Sequence, residues 1–370
     1  MAEWNINLFN RGTREQRKAF ILTVFLGMLT HMYAFTNMII NHDCVNSILE
    51  RESTEHYIGL GRWAILPFLK ISSTPVLPWV IGALSILYMA FAAAMLVSIW
   101  ELHSGIAIGL NSAVLVTFPV VASTFCYMYT ADAYFAAFAM AVIYVYAMLN
   151  WEKPAFFPSC LLMVVVCAIY QPYWCFGAVL LAATIFINYV SGKTGFVEFV
   201  KQGIVGCINL ALSLGVYYLI TRIIQRISGI GFSSYQDMDK LGQFNSLKEI
   251  YWYGRAAYYQ FLAFFFRDGG FTGDWRQNGL HIIILAGVVL LITVSYYRNK
   301  RKWYEQIIFW GIVAMIPVAV NNLSVISRNR LWPVSMIAFE VPYFLAVICC
   351  EHFGFFRWKR VEKAIWGFAV

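Results

Sequence analysis

The sequence predicts an all-α polytopic membrane protein, and three observations carry that prediction. Hydrophobic residues make up 61% of the 370-residue chain and charged residues only 12%, with 18% aromatic. One water-soluble domain has no core large enough to bury that much apolar surface. Apolar runs near the ~20 residues a helix needs to cross hydrocarbon recur along the chain. Short Lys/Arg clusters flank several of these runs, as membrane anchors do. The formal net charge of +8 belongs to those anchors and points to the bilayer as a partner, with no nucleic acid.

About ten spans are expected, over residues 19–40, 76–100, 104–122, 133–150, 156–170, 175–190, 204–224, 279–297, 307–325 and 331–350. The first run is too long for a signal h-region and lacks a small-x-small exit, so it reads as an uncleaved span. The fifth and sixth are short, and Gln171-Pro172 between them marks a tight turn or a kink. Within the spans His31, Asn111 and Asn209 are the polar intruders, read as hydrogen-bonders between helices. Cysteines form no CxxC pair. Apart from Cys44 in a polar loop, Cys126, Cys160, Cys167, Cys175, Cys207, Cys349 and Cys350 lie in or beside apolar runs. They read as small buried hydrophobes, without a disulfide framework or a zinc site.

Charge sets the expected orientation. Arg11, Arg14, Arg17 and Lys18 precede the first span, Arg298, Lys300, Arg301 and Lys302 follow the eighth, and Arg357, Lys359, Arg360 and Lys363 follow the tenth. An even span count puts these clusters on one side, which the positive-inside rule makes cytoplasmic. Both termini, including the 1–18 tail, are then inside. The outer face receives the first outer loop 41–75, the turns 123–132, 171–174 and 327–330, and the large loop 225–278. No repeat, low-complexity tract or linker divides the chain, so residues 1–370 read as one domain.

Two outer stretches carry amphipathic patterns. In 57–69, Ile58, Trp63, Ile65, Leu66, Phe68 and Leu69 form an apolar face with Arg62 opposite. In 247–266, aromatic residues from Tyr251 to Phe265 alternate with Lys248, Glu249 and Arg255. Such helices lie in the head-group plane, as sites or as plain anchors.

Chemistry is expected in the outer loops. In a chain so poor in charge, His42, Asp43, Glu50, Arg51, Glu52, Glu55, His56 and Arg62 crowd into one connection. That density implies a polar substrate handled beside lipid. Asp43 sits within a turn of the first span's outer end, where a carboxylate can act as a general base. Adjacent His42 is a weaker candidate, because neighbouring helical residues point apart. Asp132 closes the second outer turn, as a site acid or as a helix N-cap. Arg62, Arg255, Arg267, Arg276, Arg328 and Arg330 are external where positive charge is disfavoured; guanidinium forks suit phosphate oxygens or lipid head groups. Arg328 and Arg330 stand out, being two residues apart in a short turn. Asp237 and Asp239 around Met238 read as a solvated turn, with no metal and no other cofactor implied.

Several motifs in order resemble the bacterial serotype-converting glucosyl transferase family: NHDCVN after the first span, LGRW in the same loop, YTADAY at the fourth span, IYQPY at the break, and SRNRLWP before the last span. The family falls in the GT-C class of multispan membrane glycosyltransferases, and the resemblance runs over nearly the whole chain. It implies a polyprenyl-phosphate-linked hexose donor, most simply glucose, and a cell-envelope glycan acceptor such as O-antigen, a wall polysaccharide or a teichoic acid. It implies an active site on the outer face of the bacterial inner membrane. By the same resemblance Asp43 is the essential acid, Gly61, Arg62 and Trp63 shape the donor site, and Asp132, Tyr170 and Gln171 line the cavity. Glu50, Glu52 and Glu55 remain alternatives for the acid. The mechanism implied is a single inverting displacement, with arginines stabilising the leaving phosphate. A lipid-linked sugar flippase or secondary transporter is the competing expectation, and an envelope-assembly scaffold a third.

Overall fold

Backbone in hydrocarbon must satisfy its own polar groups, which favours helices. The computed structural model describes residues 13–39, 54–72, 76–150, 155–235, 244–268, 271–299 and 302–355, and they are helical almost throughout. The first helix, α1 (Arg14–Thr36), opens on a capping box between Thr13 and Gln16. The loop that follows contains the short helices α2 (Thr54–Gly59) and α3 (Leu66–Ser72), separated by a 3-10 turn at Trp63–Ile65. Next come α4 (Pro78–Trp100), α5 (Gly105–Thr117), α6 (Pro119–Phe125), α7 (Ala131–Leu149), α8 (Phe156–Ile169), α9 (Gln171–Val190) and α10 (Phe196–Ser228). The amphipathic α11 (Leu247–Phe266) leads into α12 (Trp275–Arg298), α13 (Trp303–Val320), α14 (Asn322–Ser327) and α15 (Val341–His352).

Seven of these helices are long and apolar enough to cross a membrane, and the pair α5–α6 brings the number to eight as a single bent span. That is fewer than the expected ten, though each expected span contains a helix. The 46° bend between α5 and α6 falls at Phe118, extended because Pro119 follows it. The helix α8 has 14 residues. The tenth expected span is not continuous: Pro333–Ser335 and Ile337–Glu340 form 3-10 turns, and only the 12 residues of α15 are α-helical. Pro333 and Pro342 each start a new segment there, since proline cannot donate to the turn before it. The Gln171-Pro172 break is a tight turn, with Tyr170 alone extended between α8 and α9.

The core lies where α4, α7, α8, α9 and α15 meet, filled by Phe135, Phe138, Tyr173, Phe176 and Phe344. Against it α1 packs closely: a Cβ on Gly82 would run into the Phe35 ring, and one on Gly27 would lie 3.1 Å from Ile86. Small residues thus let helices approach where lipid supplies no hydrophobic drive. The rim helices α1, α10, α12 and α13 expose Phe25, Leu29, Ile204, Ile208, Ile283, Leu290 and Ile307, an apolar belt suited to acyl chains. Cys207 is on that belt and exposed, so it faces lipid and is not a core residue as expected.

Of the polar intruders, His31 Nε2 bonds the Val116 carbonyl at 2.6 Å and Asn209 donates to Phe156 O at 2.8 Å. Asn111 differs from expectation: it is fully buried and neither side-chain polar atom has a hydrogen-bond partner among the described residues.

The two ends of the bundle hold different groups. At one, Lys193 pairs with Glu101, Asn299 donates to Val190 O, Glu351 accepts from the His103 and Ser104 N–H groups, and Arg298 lies over Phe353. The opposite end lies across α4, whose 23 residues span about 35 Å. There residues 54–72, the α6–α7 connection, the start of α9, α11 and the 328–340 segment converge.

Candidate active site

Four successive carbonyls fix the loop that carries Arg62. Ile58 O accepts from Gln225 Nε2 at 3.2 Å and Gly59 O from Ser233 N at 2.9 Å. Leu60 O accepts from Gln171 Nε2 at 2.9 Å and Gly61 O from the Tyr217 hydroxyl at 3.1 Å. Trp63 Nε1 then donates to Thr221 Oγ1 at 3.1 Å. The loop is thereby stitched to α9 and α10, and buried carbonyls that helix geometry leaves open are satisfied.

The amphipathic helix expected over 57–69 is interrupted here. Gly61 has φ +70°, in the left-handed region that glycine enters without a Cβ penalty, and this turns Arg62 away from solvent toward the bundle. A Cβ at Gly61 would also collide with the Tyr217 hydroxyl. Gly61→Ala is expected to cost at least ~1–2 kcal/mol from backbone conformation and to disturb Arg62. A thermal-unfolding scan in detergent should show a lower Tm, together with reduced activity.

Arg62 Nε donates to Gln171 Oε1 at 3.3 Å, and its guanidinium lies 4.6 Å over the Tyr170 ring. Tyr170 in turn stacks on Tyr134, centroids 4.2 Å apart and planes within 7°, and its hydroxyl is 2.8 Å from Ser335 Oγ. A cation–π contact of this kind holds a guanidinium without neutralising it. Arg62 makes no ion pair among the described residues, so its charge stays available to an anion.

Two cavities meet at Arg62. The larger, about 640 Å³, extends past Gln171, Gln260 and Phe264 to Arg330. The smaller, about 210 Å³, is lined by six tyrosines together with other residues. Arg62, Tyr170, Trp332 and Ser335 line both. A cleft of about 360 Å³ beside α11 contains Arg267, Arg328 and Arg330 and shares Gln260, Asn329 and Arg330 with the larger cavity.

The arginine pair of the 327–330 turn therefore divides. Arg328, at φ 61°, donates through Nε to the Tyr253 hydroxyl at 3.2 Å and lies 3.9 Å from Glu249. Hydrogen bonds from Asn245 hold the Glu249 carboxyl below its ordinary range, so it is ionised beside Arg328. Arg330 is exposed and reaches the large cavity. Arg62 and Arg330 thus share one cavity, and Arg328 does not line it. Arg267 is paired with Asp268 at 2.8 Å.

Other expected site residues fall as follows. Tyr170 and Gln171 are on the cavity wall. Gly61 and Trp63 hold the Arg62 loop without lining either cavity. Asp132 lines neither cavity and is 2% exposed. It is the second residue of α7 and not its N-cap, which is Thr130. Its Oδ2 accepts from Ser72 at 2.7 Å and its Oδ1 from Ala133 N, so it clamps the end of α3 to α7. His42, Asp43, Glu50, Glu52, Cys44, Asp237 and Asp239 lie outside the described residues, whereas Glu55 is exposed in the first turn of α2. Residues that sequence reasoning missed include Tyr134, Tyr217, Gln260 and Ser335; their partners are between 36 and 165 positions away, beyond any local signal. Glu340 was also missed. It is completely buried, with neither carboxylate oxygen bonded among the described residues.

A helical membrane-embedded protein with a cation-bearing, tyrosine-rich double cavity at one end of its bundle belongs among proteins that handle polar substrates at a lipid surface. The family described as glucosyl transferase GtrII matches residues 32–349, and the chain belongs to that family. It is thus a glucosyltransferase, with a sugar donor and a glycan acceptor implied. No curated protein and no solved structure matches the chain.

Proposed function

We propose that the protein transfers glucose, with inversion, from a polyprenyl-phosphate carrier to a cell-envelope glycan at the outer face of the inner membrane, as a GT-C enzyme. The observation that carries this is Arg62: a guanidinium without an acid partner among the described residues, fixed at the junction of two cavities. Such a group suits a phosphate ester whose lipid lies in the bilayer and whose sugar enters the protein.

In the proposed reaction the acceptor hydroxyl gives its proton to the Asp43 carboxylate as its oxygen forms a bond to the sugar C1. The bond from C1 to the phosphate oxygen breaks, and its electron pair leaves with the phosphate. Arg62 and Arg330 meet that growing charge. His42 is kept as a neighbour of the base, and the polar network of Gln171 and Tyr217 keeps Arg62 aimed. Purified protein given polyprenyl-phosphate glucose and a lipid-linked glycan should form a glucosylated product. A flippase, transporter or scaffold would form none.

Arg330→Ala should weaken donor affinity roughly tenfold or more, the scale of a lost charge-assisted contact. Arg328→Ala should leave donor affinity within a few-fold and lower Tm, since Arg328 serves Tyr253 and Glu249. Donor titration of both variants checks the split, and equal losses would restore the paired role.

The orientation we propose has both termini in the cytoplasm, following the basic flanks at one end. In a Cys44→Ser background, a cysteine replacing Lys248 should react with an impermeant thiol reagent added outside cells, and one replacing Lys302 should not. The reverse pattern would put the site in the wrong compartment.

A further inference from the structure

Resting on that transferase reading, we propose that the small tyrosine chamber is the seat of the donor's sugar ring, and that the large cavity receives the acceptor. Tyr57, Tyr129, Tyr134 and Tyr170 form its buried part, each under 10% exposed, while Tyr235 and Trp332 stand at its rim, 51% and 64% exposed. Among the described residues its only ionisable side chains besides the tyrosines are Arg62 and His56, and none of them is a carboxylate. An uncharged polyhydroxyl ring fits these walls. The apolar C–H face of a pyranose packs on aromatic rings, and phenol hydroxyls both donate to and accept from sugar hydroxyls. At about 210 Å³ the chamber is below the ~300–1,000 Å³ of ordinary ligand pockets, which favours one ring over an oligosaccharide.

The partition supplies the direction. The residues common to both cavities are Arg62, Tyr170, Trp332 and Ser335. A sugar ring in the chamber with its phosphate on Arg62 has C1 at that boundary. The acceptor hydroxyl then approaches from the large cavity, which is roomier. Stacking of Tyr170 on Tyr134, with Arg62 over Tyr170, makes the boundary one rigid unit. Hexose selectivity follows from which tyrosine hydroxyls meet which ring hydroxyls.

The test compares two probes on the purified full chain: a short-chain polyprenyl phosphate and its glucosyl ester. The variants are Tyr129→Phe and Tyr134→Phe, which keep the buried rings, and Tyr235→Ala at the exposed rim. The parent should bind the glucosyl ester more tightly than the bare phosphate. Each variant should lose about tenfold in affinity for the ester and stay within about twofold for the bare phosphate. Equal loss for both probes, or a raised acceptor KM with unchanged ester affinity, would overturn the assignment. Glucose transfer by the parent is scored separately: an active parent whose chamber variants keep full ester affinity sinks this inference alone, whereas an inactive parent counts against the transferase reading itself.

Discussion

Arg62→Ala should reduce single-turnover transfer by about 10²-fold or more, the scale seen when a transition-state charge donor is removed. Ground-state donor affinity should fall less, roughly tenfold, because only part of the phosphate's charge contact is made before the bond breaks. Arg62→Lys should recover a fraction of both. Lysine keeps the charge but loses the planar group that lies over Tyr170 and the Nε that donates to Gln171. The fold should tolerate both changes, since the loop is held by the carbonyls of residues 58–61. Rapid-quench transfer with saturating donor, alongside Tm, separates the two effects. An Arg62→Ala protein with parental turnover would remove Arg62 from the chemistry and leave Arg330 as the leading phosphate contact.

The existence of the long helices was legible in the sequence because lipid imposes one periodic solution on apolar runs, whereas several of their ends were not: α10 starts at Phe196 and α9 at Gln171, ahead of the expected spans. Residues 76–100 and 204–224 fall almost wholly within the helices α4 and α10. The sequence was less informative where local rules compete with tertiary contacts. The apolar pattern of 57–69 implied one interfacial helix with Arg62 opposite its apolar face. Instead the Gly61 turn and four bonds from distant residues, three of them from side chains, bring Arg62 inward. Likewise 331–350 has the composition of a span, but its prolines cut it into turns that carry Ser335 and Glu340 to the site end. Tyr170, Gln171 and Arg62 were nameable from motifs. Their convergence with Tyr134, Tyr217 and Ser335 was not, since no periodicity links residues 165 positions apart, as Tyr170 and Ser335 are.

Asp43→Asn should cost turnover about 10²-fold or more, as general-base contributions of ~10²–10⁴ imply, while donor affinity stays within a few-fold. Asparagine matches the carboxylate in size and polarity but cannot take the acceptor's proton. The last described residue before Asp43 is Ile39, and four residues of chain reach at most about 14 Å from it. Ile39 lies three residues beyond α1, whose His31 stacks on Phe125 at 4.3 Å. Tyr127 and Tyr129, just beyond Phe125, line the tyrosine chamber. The C-terminal half of α1 thus packs beside the element that forms one chamber wall, which motivates the test at Asp43. Glu55 is the described rival, exposed on α2 seven positions before Arg62. Single-turnover rates for Asp43→Asn, Glu50→Gln, Glu52→Gln and Glu55→Gln, each with its donor affinity, assign the role. Near-parental turnover in Asp43→Asn with a collapse in one glutamine variant would transfer the base to that glutamate. A fall in donor affinity as large as the fall in rate would make Asp43 a binding residue and leave the proton without an acceptor in this scheme.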